Sequence, residues 1–296
     1  MQKRIWSEYN RKLVNRGSVT FMIHEKTIQE IRRFKPKSKN GRPKKYPDAL
    51  IRLLVVVKIR FNLSYRALEG FAKSIFQKLQ KWFEIPTYST ICKRAKSLPV
   101  ELKVALSKKP RIISLDASGI KVHGEGEWKR KIHGVGRPRK WLKLHVALDE
   151  ETQQVVAESL TESNISDSNL VDSLLNEIDG DIDEVKADGA YDKQSSRNSI
   201  KKRGAKPVIP PPRNARLRYD KAERDDAVLQ IMGLGNDAHA RSLWGRLTGY
   251  SKRVLVETFF SRYKRLFGGR LFSKTSDRQR VENLLKIQIL NEMAIA

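Results

Sequence analysis

The sequence predicts an α/β domain, a mixed sheet flanked by helices, preceded by an all-α and strongly basic region. Three observations carry this expectation. Charge is uneven: residues 1–110 hold 27 Lys and Arg against 7 Asp and Glu, a net of +20, while residues 111–296 hold 33 against 26, a net of +7. The apolar period changes near residue 111, from helical spacing to short β-type runs. Beyond that point three strand-like runs precede alternating helices and strands, the order of a mixed sheet with helices packed on it. Two regions are expected: 1–110, helical and built to bind, and 111–296, with other work.

In the first region Ile23 to Phe34 reads as a short helix. A dense basic cluster follows as an extended arm: Arg32, Arg33, Lys35, Lys37, Lys39, Arg42, Lys44 and Lys45, with Pro36 and Pro43 among them. Pro47-Asp48 opens a helix through Phe61. Ser64 caps the next, which carries Tyr65, Leu68, Phe71, Ile75 and Leu79 on one side. Past Pro86, Thr87 or Ser89 caps a third helix, Thr90 to Leu98. Its Ile91, Ala95 and Leu98 face inward, so Lys93, Arg94 and Lys96 point out. Three short helices with a basic third one fit helix-turn-helix geometry, and equally a plain bundle with solvated lysines.

In the second region Ile112–Asp116 with Gly119–Val122 reads as a strand, Trp141–Leu148 as a second and Gln154–Leu160 as a third. Ser166 caps a helix bearing Leu170, Leu174, Leu175 and Ile178. Glu184–Asp188 is a short strand, Asp192–Arg203 a helix, and Pro207–Ile209 a strand stopped by a proline run. Residues 213–244 are expected to be helical, though poorly patterned.

Composition narrows the function classes. A formal charge of +27 over 296 residues points to a polyanionic partner, most often nucleic acid. Cys92 is the single cysteine, which excludes an intrachain disulfide and a Cys-rich zinc module. The N-terminal residues lack the apolar run of a signal peptide, and the greasiest stretch, Leu50–Phe61, is broken by Arg52, Lys58 and Arg60. No membrane span and a reducing cytoplasm are therefore expected.

The candidate chemistry lies in three acids. Asp116 and Asp188 each end an apolar strand and precede small residues, a position open to a ligand approaching the sheet. Glu257 lies in a helix whose Tyr250, Arg253, Glu257 and Lys264 are offset by 0, 3, 7 and 14. At about 100° per residue these four share a stripe only about 60° wide. Leu255, Val256, Phe259, Phe260, Tyr263, Leu266 and Phe267 fall on the other side, and Gly268-Gly269 ends the helix. A lone acid among bases is either an ion-pair ladder or a metal-and-phosphate site. Two Asp and one Glu suit magnesium, a hard cation that takes oxygen ligands. Asp192 is the nearest rival to Asp188 and is expected instead to cap the following helix. The histidines are scattered, and Trp244 suits a buried position better than base stacking.

Two basic segments echo each other, Gly41-Arg42-Pro43-Lys44-Lys45 and Gly136-Arg137-Pro138-Arg139-Lys140. An Arg held extended by a following Pro fits a narrow minor groove or a simple phosphate contact. The stretch from Trp128 to Lys143, with Lys129, Arg130 and Lys131, holds no acid and lies near Asp116 in sequence.

Tyr-x2-Arg-x3-Glu-x6-Lys, formed by Tyr250, Arg253, Glu257 and Lys264, resembles the signature of the DDE transposases of bacterial insertion sequences. Leu115-Asp116-Ala117-Ser118-Gly119 and Ala187-Asp188-Gly189-Ala190-Tyr191-Asp192 are similar to the blocks around that family's two catalytic aspartates. Trp6-x2-Tyr9-Asn10, Tyr65-Arg66-Ala67-Leu68-Glu69-Gly70-Phe71 and Tyr88-Ser89-Thr90 resemble its fifth insertion-sequence branch, so the likeness covers nearly the whole chain. The resemblance implies a ribonuclease H-like (retroviral-integrase-like) catalytic domain with Asp116, Asp188 and Glu257 as catalytic metal ligands. It implies two Mg²⁺ ions, with Mn²⁺ as a substitute, and Tyr250, Arg253 and Lys264 on DNA. It further implies double-stranded DNA partners (terminal inverted repeats and target), a homo-oligomeric synaptic complex, and a bacterial cytoplasmic, nucleoid-associated location. Two alternatives stay open: a nuclease of the same fold that cuts without joining, and an idle DNA-binding repressor. With 68 residues between Asp188 and Glu257, no large extra β domain is expected there.

Overall fold

The computed structural model describes residues 5–17, 25–36, 43–79, 84–102, 104, 105, 107, 109–122, 141–219 and 222–295. The chain divides into two compact units, one of residues 1–101 with 265–296 and one of residues 102–264. The first is thus discontinuous in sequence, whereas the expected division at 110/111 runs once along the chain.

In the first unit the described helices are α1 (Trp6–Gly17), α2 (Glu25–Arg33), α3 (Asp48–Arg60), α4 (Tyr65–Leu79), α5 (Tyr88–Ala95) and a C-terminal helix, Ser276–Ile295. Helix α3 starts at Pro47, as expected, because a proline at a helix start loses no intrahelical hydrogen bond. It is apolar almost all round and correspondingly buried, with Leu50, Ile51, Leu53, Leu54, Val55, Val57 and Ile59 inside. Ser64 Oγ accepts the Ala67 amide at 3.2 Å, capping α4 as expected. In α5 Ile91 and Ala95 are buried, and so is Leu98 just beyond it. Helices α2, α4, α5 and Ser276–Ile295 all pack on α3, and Arg16 Nε donates to the Met293 carbonyl at 2.9 Å.

The second unit is built on five strands: β1 (Arg111–Val122), β2 (Trp141–Asp149), β3 (Val155–Glu162), β4 (Ile182–Lys186) and β5 (Lys206–Val208). Their order is β3-β2-β1-β4-β5, antiparallel on the β1–β2–β3 side and parallel on the β1–β4–β5 side. Helices Val171–Asn176 and Gln194–Lys202 bury Val171, Leu174, Leu175 and Ile200 in one core with Ile113, Leu115, Val185 and Ala187. A mixed sheet with flanking helices is the architecture expected from the order of elements in the sequence. Side chains alternate along a strand, so Ser114, Asp116 and Lys186 stand on the opposite face.

Candidate functional site

The sheet register brings the two aspartates together. β1 and β4 are parallel, and their last paired residues are Ser114 and Lys186. Two positions further on, each chain reaches its aspartate, on the face away from the Val171–Asn176 and Gln194–Lys202 core. Asp116 is not at a strand end, contrary to the sequence expectation, since β1 continues to Val122 paired with β2. It lies just beyond the point at which β1 loses its pairing with β4. Asp188 lies just past β4, where its Oδ1 accepts the Ala190 amide at 2.9 Å and caps a short 3-10 turn, Gly189–Tyr191.

The third acid arrives on a helix. Tyr250 to Arg253 form a 3-10 turn, and only Val254–Phe267 is α-helix. This corrects the single α-helical stripe expected from spacing. With about 3 residues per turn, positions 250 and 253 eclipse each other, and the Arg253 guanidinium lies 5.8 Å from the Tyr250 ring centroid. The buried face of the α-helix holds Val256, Phe259, Phe260, Tyr263 and Phe267, leaving Glu257 and Lys264 exposed. Gly268 and Gly269 take φ +74 and +60 and end the helix, as expected.

Arg253 joins these parts. Its Nη1 donates to Asp116 Oδ2 at 3.3 Å and its Nη2 to Glu257 Oε1 at 2.5 Å. Burial raises the Asp116 carboxyl above its ordinary value, and the negative charges of Asp188 and Glu257 push the same way. The Ala117 amide and Arg253 oppose them without cancelling the effect. On Arg253 burial works against the charge, but Tyr250, Asp116, Glu257 and Asp188 outweigh it and raise its pKa. The three acids thus interact, with a guanidinium between two of them.

As the side chains stand, no three His, Cys, Asp or Glu side chains among the described residues close around a point that would hold a metal ion. The donor chemistry nevertheless suits a hard divalent cation. The bridging guanidinium already supplies positive charge to Asp116 and Glu257, the role such a cation would take over.

Asp192 is not available as a ligand, and it does not cap the helix after it, which starts from Lys193. Its Oδ1 accepts Arg197 Nε at 3.0 Å and its Oδ2 accepts Arg224 Nε at 3.1 Å. Trp244 is buried and donates to Gln230 Oε1 at 3.0 Å. His145 is fully buried on β2; burial, helped by neighbouring Lys143 and opposed by Asp167, pushes it down to about 4.

One group escaped the sequence reading. Lys186, two residues before Asp188, is 2% exposed and donates to Glu150 Oε2 at 2.9 Å and to the Gly249 carbonyl at 3.0 Å. Ser114 Oγ donates to Glu150 Oε1 at 2.7 Å. The network ties the strand leading to Asp188, the strand carrying Asp116 and the residue preceding Tyr250. A signal existed: Lys186 is the lone base among thirteen acids between Asp149 and Asp188. A lysine inside a buried strand needs a partner.

The basic candidates fare differently. Lys93 and Lys96 are exposed, and Lys96 pairs with Asp277 at 3.2 Å. Arg94 is half-buried rather than pointing out, bonded to Asp48 and, at 2.7 Å, to the Tyr46 carbonyl. Lys44 pairs with Asp48 at 3.3 Å and Lys45 with Glu84. Arg42, Lys129, Arg130, Lys131, Arg137, Arg139 and Lys140 lie outside the described residues.

A family model described as Transposase DDE domain matches residues 107–291, and a second model of the same description matches residues 14–125. Among solved structures, the chain is similar to a simian T-cell lymphotropic virus intasome in complex with PP2A regulatory subunit B56 gamma. The identity there is 15% and the TM-score 0.27, over 58% of this chain and 58% of the length of that one. It is also similar to the Mos1 strand transfer complex, at 12% identity and a TM-score of 0.24 over 81% of this chain and 83% of that one. The Mos1 mariner paired end complex with Mn gives 12% identity and a TM-score of 0.24 over 90% and 94%.

Proposed function

The chain belongs to the DDE transposase family, and from that premise we propose that it is the transposase of a bacterial insertion sequence of the fifth family. It binds the terminal inverted repeats, hydrolyses phosphodiester bonds at the element ends and joins the freed 3′ hydroxyls to target DNA. Asp116, Asp188 and Glu257 would hold two Mg²⁺ ions, with Mn²⁺ as a substitute. Such ions supply Lewis-acid charge to the attacking and leaving oxygens of a phosphodiester.

The observation that carries this reading is the Arg253 guanidinium set between Asp116 and Glu257. Positive charge is already called for at the point where the strand-borne and helix-borne acids meet. With DNA present, Arg253 turns to the scissile strand beside Tyr250 and Lys264, leaving the carboxylates to the cations. The basic first region, residues 1–110, grips duplex DNA with a helix-turn-helix in which α5 supplies Lys93 and Lys96, while Arg94, bonded to Asp48 and to the Tyr46 carbonyl, holds the helix in place. Arg42, Lys44 and Lys45 add groove or phosphate contacts, and Lys129, Arg130, Lys131, Arg137, Arg139 and Lys140 lie on substrate DNA. Work at paired ends makes the active form a homo-oligomer, in a cytoplasmic, nucleoid-associated setting.

The test is an assay with a pre-cleaved element end, a plasmid target and Mg²⁺. Joined products are expected. Shortened ends that are never joined would replace this reading with a nuclease of the same fold, and an inert protein that still binds the ends would replace it with a repressor.

A further inference from the structure

Within the unit of residues 1–101 and 265–296, a cavity of about 100 Å³ is lined by Lys58, Asn62, Arg270, Phe272, Glu282 and Lys286, among others. Three cations surround one aromatic ring in its wall. Lys58 Nζ, the Arg270 guanidinium carbon and Lys286 Nζ lie 6.0, 5.0 and 5.7 Å from the Phe272 centroid. Lys58 Nζ is also 5.0 Å from the Tyr65 ring.

One carboxylate answers these charges. Glu282 accepts the Phe272 amide on both oxygens, at 3.0 and 3.1 Å, and the Ser273 amide at 2.9 Å. Lys286 pairs with it at 2.7 Å and donates to the Arg270 carbonyl at 2.7 Å. Glu282 is therefore spent on Lys286 and on the backbone. Among the described residues, neither Lys58 nor Arg270 has a carboxylate within ion-pair distance. Burial pulls Lys58 below the ordinary lysine range. Lys286 is lowered by burial too, with repulsion from Lys58 and Arg270 adding to it against the pull of Glu282. An aromatic face offsets such charge only in part, and partly buried charges are ordinarily paired. Lys58, the partly buried one of the two, has no such partner among the described residues.

We propose that this cavity binds a phosphate group, with Lys58 and Arg270 as its direct partners. Its volume, about 100 Å³, is well above the roughly 10–15 Å³ that a single water needs and leaves room for an oxyanion. The phosphate comes either from a DNA backbone or from free phosphate, and the site does not depend on the chain being a transposase.

The experiment uses the full chain with Lys58→Gln and Arg270→Gln. In one arm, melting temperature is followed with inorganic phosphate against chloride at matched ionic strength. In the other, affinity for a short duplex is followed against salt. A backbone phosphate at the site predicts that each variant reduces the slope of log K against log salt by about 0.9, the share of one phosphate contact. A free phosphate predicts an unchanged slope and loss of the phosphate-induced rise in melting temperature. Either result supports the site and names its source. Arg270 is exposed, so its variant remains informative if Lys58→Gln fails to fold. Wild-type behaviour of Arg270→Gln in both arms overturns the proposal. So does an equal effect from Lys274→Gln, an exposed cation outside the cavity lining.

Discussion

Asp116 is a carboxyl that its own surroundings disfavour as an anion. Its folded pKa is raised above the ordinary 3.8. Between the two values the native state keeps a proton that the unfolded state has released. Stability therefore falls as pH rises through that window and stays lost above it. Asp116→Asn removes the loss. Without divalent cations, its melting temperature is expected to exceed wild type at neutral pH, the gain shrinking as pH falls through the window. Calorimetry across pH checks this, and a variant less stable at neutral pH refutes it. The same variant is expected to lose about 10²-fold or more in cleavage, as when a transition-state charge partner is removed, while keeping DNA affinity spread over many basic contacts. For Arg253→Ala, single-turnover cleavage is expected to fall about 10²-fold through misplacement of the scissile strand. A local pair with Glu257 four residues on would by itself contribute only about 0.2–0.5 kcal/mol and leave the rate intact; a wild-type rate would reduce Arg253 to that role. The three acids were legible because each sits in a short motif of fixed spacing. The reach of Arg253 to Asp116, 137 residues away, was not, because spacing describes one helix and not what folds against it.

Among the elements, the tie that sets the active face is the Lys186–Glu150 pair and its bond to Gly249. Lys186→Met leaves the Glu150 charge buried and unpaired, expected to cost about 3–5 kcal/mol in denaturant unfolding. Adding Glu150→Gln removes the orphaned charge and should return a good part of that loss. No recovery in the double variant would show that packing, and not charge, holds the three segments together. Gly249 has φ +68, a left-handed backbone that favours glycine. Strands and helices were legible from apolar period and turn residues, since those signals are local. The 3-10 turn at Tyr250–Arg253 was not. It follows from where Gly249 is pinned, which depends on a lysine 63 residues earlier.

At the scale of the molecule, the change in charge near residue 110 was legible from composition, but the return of residues 265–296 to the first unit was not. That return rests on a C-terminal helix buried on all sides from Leu285 to Asn291, with Lys286, Gln288 and Asn291 inside as well as the apolar residues, so the sequence offers no apolar stripe to read there. A chain ending at Lys264 is therefore expected to keep salt-sensitive DNA binding through its charge while losing cooperative melting of the α2–α5 bundle. Unchanged cooperativity would make the C-terminal helix dispensable to the bundle. The discontinuity also sets a clock on synthesis. Helix α3 is complete long before the C-terminal helix that covers it leaves the ribosome, and at about 5–20 residues per second the 215 residues between them (61–275) take roughly 11–43 s. Residues 102–264 can fold in that interval, so the sheet carrying Asp116 and Asp188 is ready first, and the basic bundle finishes only as the last helix emerges.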